Sequence, residues 1–325
     1  MTAKLTDKQI LDYKKDGVIL IKKVFLPWIE KLSKGFQKVL NKPSSHGREN
    51  VSKQHGGRFF EDYCNWQRID EFKDFIFNSP AAEIVAQSTQ SNKIQVFHEH
   101  IFLKEPGTKK ETPWHQDLPY YCVDGNDTGS FWIPLDSVSK DNSLKVLKGS
   151  HKLPMLVRPT KWSNDTFWYK NNKSFMDIPN IDKNNIFSTE MNIGDAILFN
   201  FKVLHSSSGN SGKKSRKAFS ARFIGDDVRY IDRKGETSPP FAGIDLKPGD
   251  KMRKEDKKQV IMDFLDKMNS KGIHLVDVEG FDKDMSIWSS RKPKESARTV
   301  INVNMRLVRL NKNDTEVEVD KFLMD

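Results

Sequence analysis

A chain of 325 residues is long enough for one large catalytic domain with insertions, and its 21 phenylalanines and seven tryptophans supply the bulky side chains of a sizeable core. The formal charge of +10 admits nucleic acid, anionic lipid or an acidic small molecule as partner, but carboxylates interleave the lysine-rich stretches, as Glu255 and Asp256 do between Lys251 and Lys258, and no zinc-finger spacing or RNP-type motif accompanies them. With Cys64 and Cys122 the only cysteines, a disulfide framework and a four-thiolate metal site are excluded.

Thr6 followed by Gln9 is a capping box that opens a helix of about ten residues, closed by Gly17 in a left-handed turn. Val18 to Ile21 reads as a buried strand, Pro27 suits the first turn of a second helix reaching about Leu40, and Pro80 starts a third through Ala86. From Lys93 the texture changes. Residues 93–104, 130–135, 143–148, 195–204 and 216–224 are short runs rich in Val, Ile, Leu and Phe, bounded by Gly, Pro, Asn and Asp, which is the pattern of a mainly β sandwich or barrel with flanking α-helices. Between them, residues 154–190 place Trp162, Phe167, Trp168 and Tyr169 in a polar, turn-prone stretch, as expected of a lid or binding loop. An amphipathic helix over 254–269 and a strand over 298–309 follow. No clear linker interrupts the chain, so a single catalytic domain is expected over 1–325: helices in 1–92, a β core in 93–235 with the 154–190 insertion, and an extension from 236. No apolar run at Met1 to Lys8, no stretch of membrane-spanning length and no terminal Ser-Lys-Leu-type address point to a soluble, cytoplasmic protein with no obligatory protein partner.

Three segments carry chemistry. In Trp114-His115-Gln116-Asp117-Leu118 the i, i+2 spacing puts His115 and Asp117 on one face of an extended segment. Completed by a histidine from a distant strand, such a pair forms the facial triad of iron(II) oxygenases, although a His-x-Asp tripeptide also arises at ordinary strand ends. His205 ends a strongly apolar run from Gly194 and is the best placed of the eight histidines, against the plain alternative of a strand-end histidine satisfied by hydrogen bonds. After a Gly209 to Gly212 turn, alternation puts Arg216, Ala218, Ser220 and Arg222 on one face and Phe219 and Phe223 on the other. Guanidiniums separated by small residues leave room for a carboxylate ligand, or are simply solvated on an exposed face.

These segments resemble the phytanoyl-CoA dioxygenase family of iron(II)/2-oxoglutarate oxygenases. The likeness runs through His115-Gln116-Asp117-Leu118, Trp132-Ile133-Pro134-Leu135, Asp141 to Leu144 leading to Gly149-Ser150-His151-Lys152, then Gly194-Asp195, His205 and Arg216-Lys217-Ala218. It covers roughly residues 5–235, with Ser143 in place of a usual Gly and Lys148 in place of a usual Pro. The resemblance implies a double-stranded β-helix of jelly-roll or cupin-like form, with His115, Asp117 and His205 as iron ligands. It implies 2-oxoglutarate as co-substrate, its distal carboxylate held by Arg216, eleven residues beyond His205, with Ser207 and Trp132 beside it. Dioxygen is the oxidant, ascorbate an accessory reductant, and the presence of Asp117 argues against a halogenase. Arg58 after two glycines, Arg222 and Trp168 are expected to meet the substrate, a small and acidic metabolite oxidised by hydroxylation, desaturation or ring closure. A non-catalytic jelly-roll binding protein and a zinc hydrolase with the same triad are the rival readings.

Overall fold

The computed structural model describes residues 3–51, 56–161, 168–169, 174–233, 235–241, 244 and 246–252, together with the backbone of 308–310 and 316–318. The chain divides into two compact units, Met1–Met252 and Arg253–Asp325.

In the first unit the elements run α1 (Asp7–Asp16), β1 (Val18–Ile21), α2 (Ile29–Asn41), β2 (Arg48–Val51), β3 (Phe59–Tyr63), α3 (Asp70–Asn78), α4 (Ala81–Thr89), β4 (Gln95–Lys104), β5 (Thr112–His115), β6 (Val123–Asp124), β7 (Thr128–Pro134), β8 (Leu144–Leu147), β9 (Ile186–Phe187), β10 (Ala196–Phe199), β11 (His205–Ser207), β12 (Arg216–Ile224) and β13 (Arg229–Tyr230). The capping box is present: the Gln9 amide donates to the Thr6 hydroxyl while the Thr6 amide donates to the Gln9 side chain. Gly17 closes α1 at φ 73, where a Cβ would lie 2.5 Å from both His151 and Val203, so this turn takes only glycine. The third predicted helix begins one residue after Pro80 and runs to Thr89. A further helix, α3, precedes it; Asp70 and Glu71 favour its N-terminus, and Phe72, Phe75 and Ile76 form its buried stripe.

Two antiparallel sheets build the barrel. The larger has the order β1-β10-β7-β12-β4-β3-β2, the smaller β5-β11-β8-β9. Side chains from both meet in one interior cluster: Ile197, Phe199, Trp132 and Ala218 from the large sheet, Leu144 and Val146 from the small one. The outer face of the large sheet carries the helices, where Phe219 of β12 packs against Phe72 and Phe75 of α3 at ring-centroid distances of 4.7 and 5.3 Å. The two faces of β12 are therefore sorted as alternation predicts.

The apolar run 195–204 is not one strand. It pairs with β1 and β7 only through Phe199. Asn200 then makes a turn, its side-chain oxygen accepting from the Lys202 amide and its carbonyl from the Val203 amide. His205 starts β11 in the opposite sheet. The expected helix over 254–269 lies outside the described residues. In the second unit the described strands, β14 (Val308–Leu310) and β15 (Glu316–Glu318), pair antiparallel, and β14 overlaps the end of the expected 298–309 strand.

Candidate metal centre

The small sheet positions the two histidines. In the antiparallel pairing of β5 with β11, His115 sits directly opposite His205, and their ring centroids are 4.2 Å apart. Asp117 reaches the same point by a different route from the one its spacing suggests. The segment is not extended through Asp117, which has helical φ −72 and ψ −44 at the start of a 3-10 turn over Leu118–Tyr120. Its amide and that of Leu118 both donate to the Phe201 carbonyl, a contact with the turn after β10 that bends the chain inward. Asp117 Oδ1 then lies 3.6 Å from the Nε2 atoms of both His115 and His205. One ligand atom from each residue falls within 4.8 Å of the others, and all three residues are buried.

Hydrogen bonds set these groups in metal-binding form. His115 Nδ1 lies 2.8 Å from the Pro113 carbonyl and His205 Nδ1 lies 3.0 Å from that of Val203. A carbonyl can only accept, so Nδ1 carries the proton and Nε2 turns its lone pair to the centre. Burial, and then the neighbouring His115, push His205 down to about 3, which keeps its imidazole neutral. For Asp117 burial acts to raise the carboxyl, but Arg222, His205 and His115 together outweigh it and hold it well below the usual range. The Nε2 atoms of two imidazoles and one carboxylate converge on one buried point beside the cavity, a donor set that would fit iron(II).

Arg222 explains the orientation of Asp117. Its Nε donates to Asp117 Oδ2 across 3.1 Å, which leaves Oδ1 to the metal point. Arg222 is thus engaged by Asp117 and not by the acidic residues that follow its strand, while its Nη1, buried and without a hydrogen-bond partner among the described residues, still belongs to the cavity lining. Asp226 instead accepts from the amides of Asn92 and Lys93, and Asp227 from those of Asn126 and Asp127.

Around the triad lies a cavity of about 590 Å³ that also contains Arg216, Ser207, Trp132 and Trp168. Arg216 is 7% exposed. It donates to the Asn142 carbonyl at 2.6 Å, the Ser208 carbonyl at 2.9 Å and the Ser207 hydroxyl at 3.4 Å. No carboxylate among the described residues pairs with it. Burial lowers it to about 10, so it stays charged at neutral pH. Trp132 lines the cavity and also belongs to the interior cluster. Trp168 packs edge-on against Tyr120 at 5.3 Å and donates its indole N–H to the Glu236 carbonyl, while Tyr169 is buried and bonds the Pro119 carbonyl. Trp162 and Phe167 lie outside the described residues. Arg58 does not line the cavity: its guanidinium grips the Glu49 carboxylate and covers the Phe60 ring.

The sequence reading missed the β4 wall of the cavity. His98, His100, Phe102 and Lys104 alternate along β4 and all line the cavity. The polar residues His98, His100 and Lys104 at even spacing along a strand with apolar Ile101 and Leu103 between them were the available signal. His100 faces Glu61 at 3.4 Å, whereas His98 Nε2 has no partner among the described residues.

Comparison with known proteins agrees with this geometry. Residues 13–218, more than half of the chain, match the family described as phytanoyl-CoA dioxygenase (PhyH). A probable phytanoyl-CoA dioxygenase of Caenorhabditis elegans is 28% identical over 190 residues, 56% of this chain and 56% of that one. The peroxisomal phytanoyl-CoA dioxygenase of Rattus norvegicus is 28% identical over 156 residues, 46% of this chain and 45% of the relative. The match thus spans about half the length of these curated relatives. Among solved structures, the non-heme alpha ketoglutarate dependent carbocyclase SnoK aligns with a TM-score of 0.59 at 16% identity, over 77% of this chain and 94% of that one. EctD from S. alaskensis, solved with 2-oxoglutarate and 5-hydroxyectoine, aligns with a TM-score of 0.55 at 15% identity, over 76% of this chain and 85% of that one. At these identities the likeness is one of fold, the double-stranded β-helix. The matched segment contains the triad and Arg216, and the chain belongs to the phytanoyl-CoA dioxygenase family.

Proposed function

We propose that this protein is an iron(II)- and 2-oxoglutarate-dependent oxygenase that oxidises an unactivated C–H bond of a small, polar metabolite. The observation that carries the reading is the placement, in one cavity, of a buried His-Asp-His donor set and a buried guanidinium that has no carboxylate partner among the described residues. Iron(II) bound at the triad, with 2-oxoglutarate as electron donor, would supply dioxygen activation, the co-substrate leaving as succinate and carbon dioxide. The protein's own part is ligation, positioning and exclusion of water. His115, Asp117 and His205 hold the metal, Arg222 fixes which Asp117 oxygen is presented, and Arg216 with Ser207 receives the distal carboxylate of 2-oxoglutarate. Gln116 ties the insertion over the site by accepting from the Val157 amide at 2.7 Å. Tyr120, Trp168 and Trp132 form aromatic walls, and His98 with the His100–Glu61 pair offers the substrate hydrogen-bonding partners.

The case for an acidic substrate weakens, because Arg222 pairs with Asp117 and Arg58 with Glu49. The polar wall of β3 and β4 favours a hydrogen-bonding substrate without demanding a charge.

The test is succinate release from 2-oxoglutarate by the iron(II)-loaded protein with ascorbate, screened against polar, acidic and CoA-linked metabolites, with Arg216→Met in parallel. Stimulated release, and a requirement for 2-oxoglutarate raised by roughly two to three powers of ten in Arg216→Met, are expected from loss of a buried charge contact of a few kcal/mol. Hydrolysis supported by zinc alone, or metabolite binding without co-substrate turnover, would replace the reading with a hydrolase or a binding protein.

A further inference from the structure

Arg216 is not alone at its end of the cavity. In the pairing of β12 with β4 it stands directly opposite Lys104. Lys104 is 2% exposed and lies over the Phe59 ring at 4.3 Å. Its Nζ lies 3.1 Å from the Thr112 hydroxyl, 3.3 Å from the Ser207 hydroxyl and 3.0 Å from the Ser208 carbonyl. The last two are also the acceptors of Arg216. Two basic groups therefore share neutral acceptors in a buried recess open to the metal cavity, and no carboxylate among the described residues lies within ion-pair distance of either. Neighbouring buried cations repel, and desolvation adds to the cost, so this arrangement is stable only if one group gives up its proton or an anion enters.

We propose that Lys104 is a second basic group of the co-substrate site: it joins Arg216 in gripping the distal carboxylate and takes up a proton at Nζ as that carboxylate binds. This rests on the reading that 2-oxoglutarate is the co-substrate and that Arg216 meets its far end. In the ligand-free protein burial, and then Arg216, push Lys104 down to about 6; Glu111 and Glu61 act in the opposite direction and Lys110 with Arg216. At neutral pH the free amine predominates and the recess holds one positive charge. An entering carboxylate reverses the balance, drawing a proton from solvent onto the amine, with no bond made or broken elsewhere. Discrimination follows. A 2-oxoacid with a carboxylate at the correct reach gains two charged contacts, whereas one lacking it meets an uncharged amine.

The test is anaerobic calorimetry of 2-oxoglutarate binding to the iron(II)-loaded protein at pH 7.5, in two buffers of different ionisation enthalpy, with pyruvate as the probe that lacks the distal carboxylate. Wild type is expected to take up about one proton with 2-oxoglutarate and none with pyruvate, and its affinity for 2-oxoglutarate to weaken up to about tenfold per pH unit above neutrality. Lys104→Met should retain iron, bind 2-oxoglutarate at least about tenfold more weakly and take up no proton. Binding of 2-oxoglutarate to wild type without proton uptake would overturn this proposal alone, a result independent of how the variant folds. Failure of 2-oxoglutarate to bind at all would overturn it together with the co-substrate reading.

Discussion

Replacing Arg222 by Met tests whether that residue serves the metal or the substrate. Met keeps the apolar stem of the side chain and removes its charge and its bond to Asp117 Oδ2, leaving a buried carboxylate without its guanidinium. Breaking one side of a buried ion pair costs about 3–5 kcal/mol, because the remaining charge stays desolvated and unpaired. Asp117 is kept well below the usual carboxylate range chiefly by Arg222 acting against burial. Without that cation a proton competes with the metal for the carboxylate, and Oδ1 is no longer aimed. A drop of about 10- to 100-fold in iron affinity is expected, the size typical for partners that orient metal ligands. Thermal unfolding of the metal-free protein reads the first effect, and iron titration against a competing chelator the second. A double-mutant cycle with Asp117→Asn should return most of the stability loss, since the two changes remove one interaction. If Arg222→Met unfolds and binds iron as wild type does, and only its substrate KM rises, the positioning role is wrong and the substrate role stands.

Other outcomes follow from the same geometry. Asp117→Ala should abolish both iron uptake and turnover, as two imidazoles hold a labile ferrous ion poorly; full iron occupancy by metal analysis would refute this. Gly17→Ala places a Cβ 2.5 Å from His151 and Val203 at a φ of 73, and should cost about 1–3 kcal/mol in chemical denaturation. An unchanged denaturation midpoint would show that the turn yields. Between about 6, where Lys104 titrates in the folded protein, and its ordinary 10.5, the unfolded chain holds a proton that the folded protein lacks. Stability contributed at this position therefore rises with pH across that window, by at most about 1.4 kcal/mol per unit. Lys104→Met removes the dependence, so its stability relative to wild type should improve as pH falls toward 6; parallel stability curves would exclude a depressed Lys104.

How far the site is legible in the sequence depends on how local its causes are. His115 and Asp117 are close in the chain and His205 follows a conspicuous apolar run, yet each alone also reads as an ordinary strand-end residue, and it is the family resemblance that joins the three into one ligand set. Their geometry is not. Asp117 turns inward because the Phe201 carbonyl takes its amide, and β10 stops at Phe199 because Asn200 folds back on itself; both depend on hydrogen bonds that a period-two pattern does not encode. Alternation places Arg222 on the inward face correctly, yet its partner comes from a segment 105 residues earlier, while the sequence neighbours Asp226 and Asp227 serve backbone amides.

Lys104 shows what a stricter use of the same rule would have found. The alternation in β4 resembles that of β12: His98, His100, Phe102 and Lys104 share one face, up to a register shift that sets Val96 opposite Phe223. Each strand alone is ambiguous, since a basic face suits solvent as well as a ligand. Once β4 and β12 are paired, the ambiguity disappears, because Arg216 falls opposite Lys104, Ser220 opposite His100 and Arg222 opposite His98. Neither strand is an edge of its sheet, and the other face of β12 is filled by Phe219 and Phe223. The polar faces have only the interior to enter, where a basic residue persists with a partner, without its proton, or beside a site that an anion completes. Arg222 has Asp117 for a partner. Lys104 and Arg216 have none among the described residues, and this asymmetry is the ground on which an anion site is proposed at their end of the cavity.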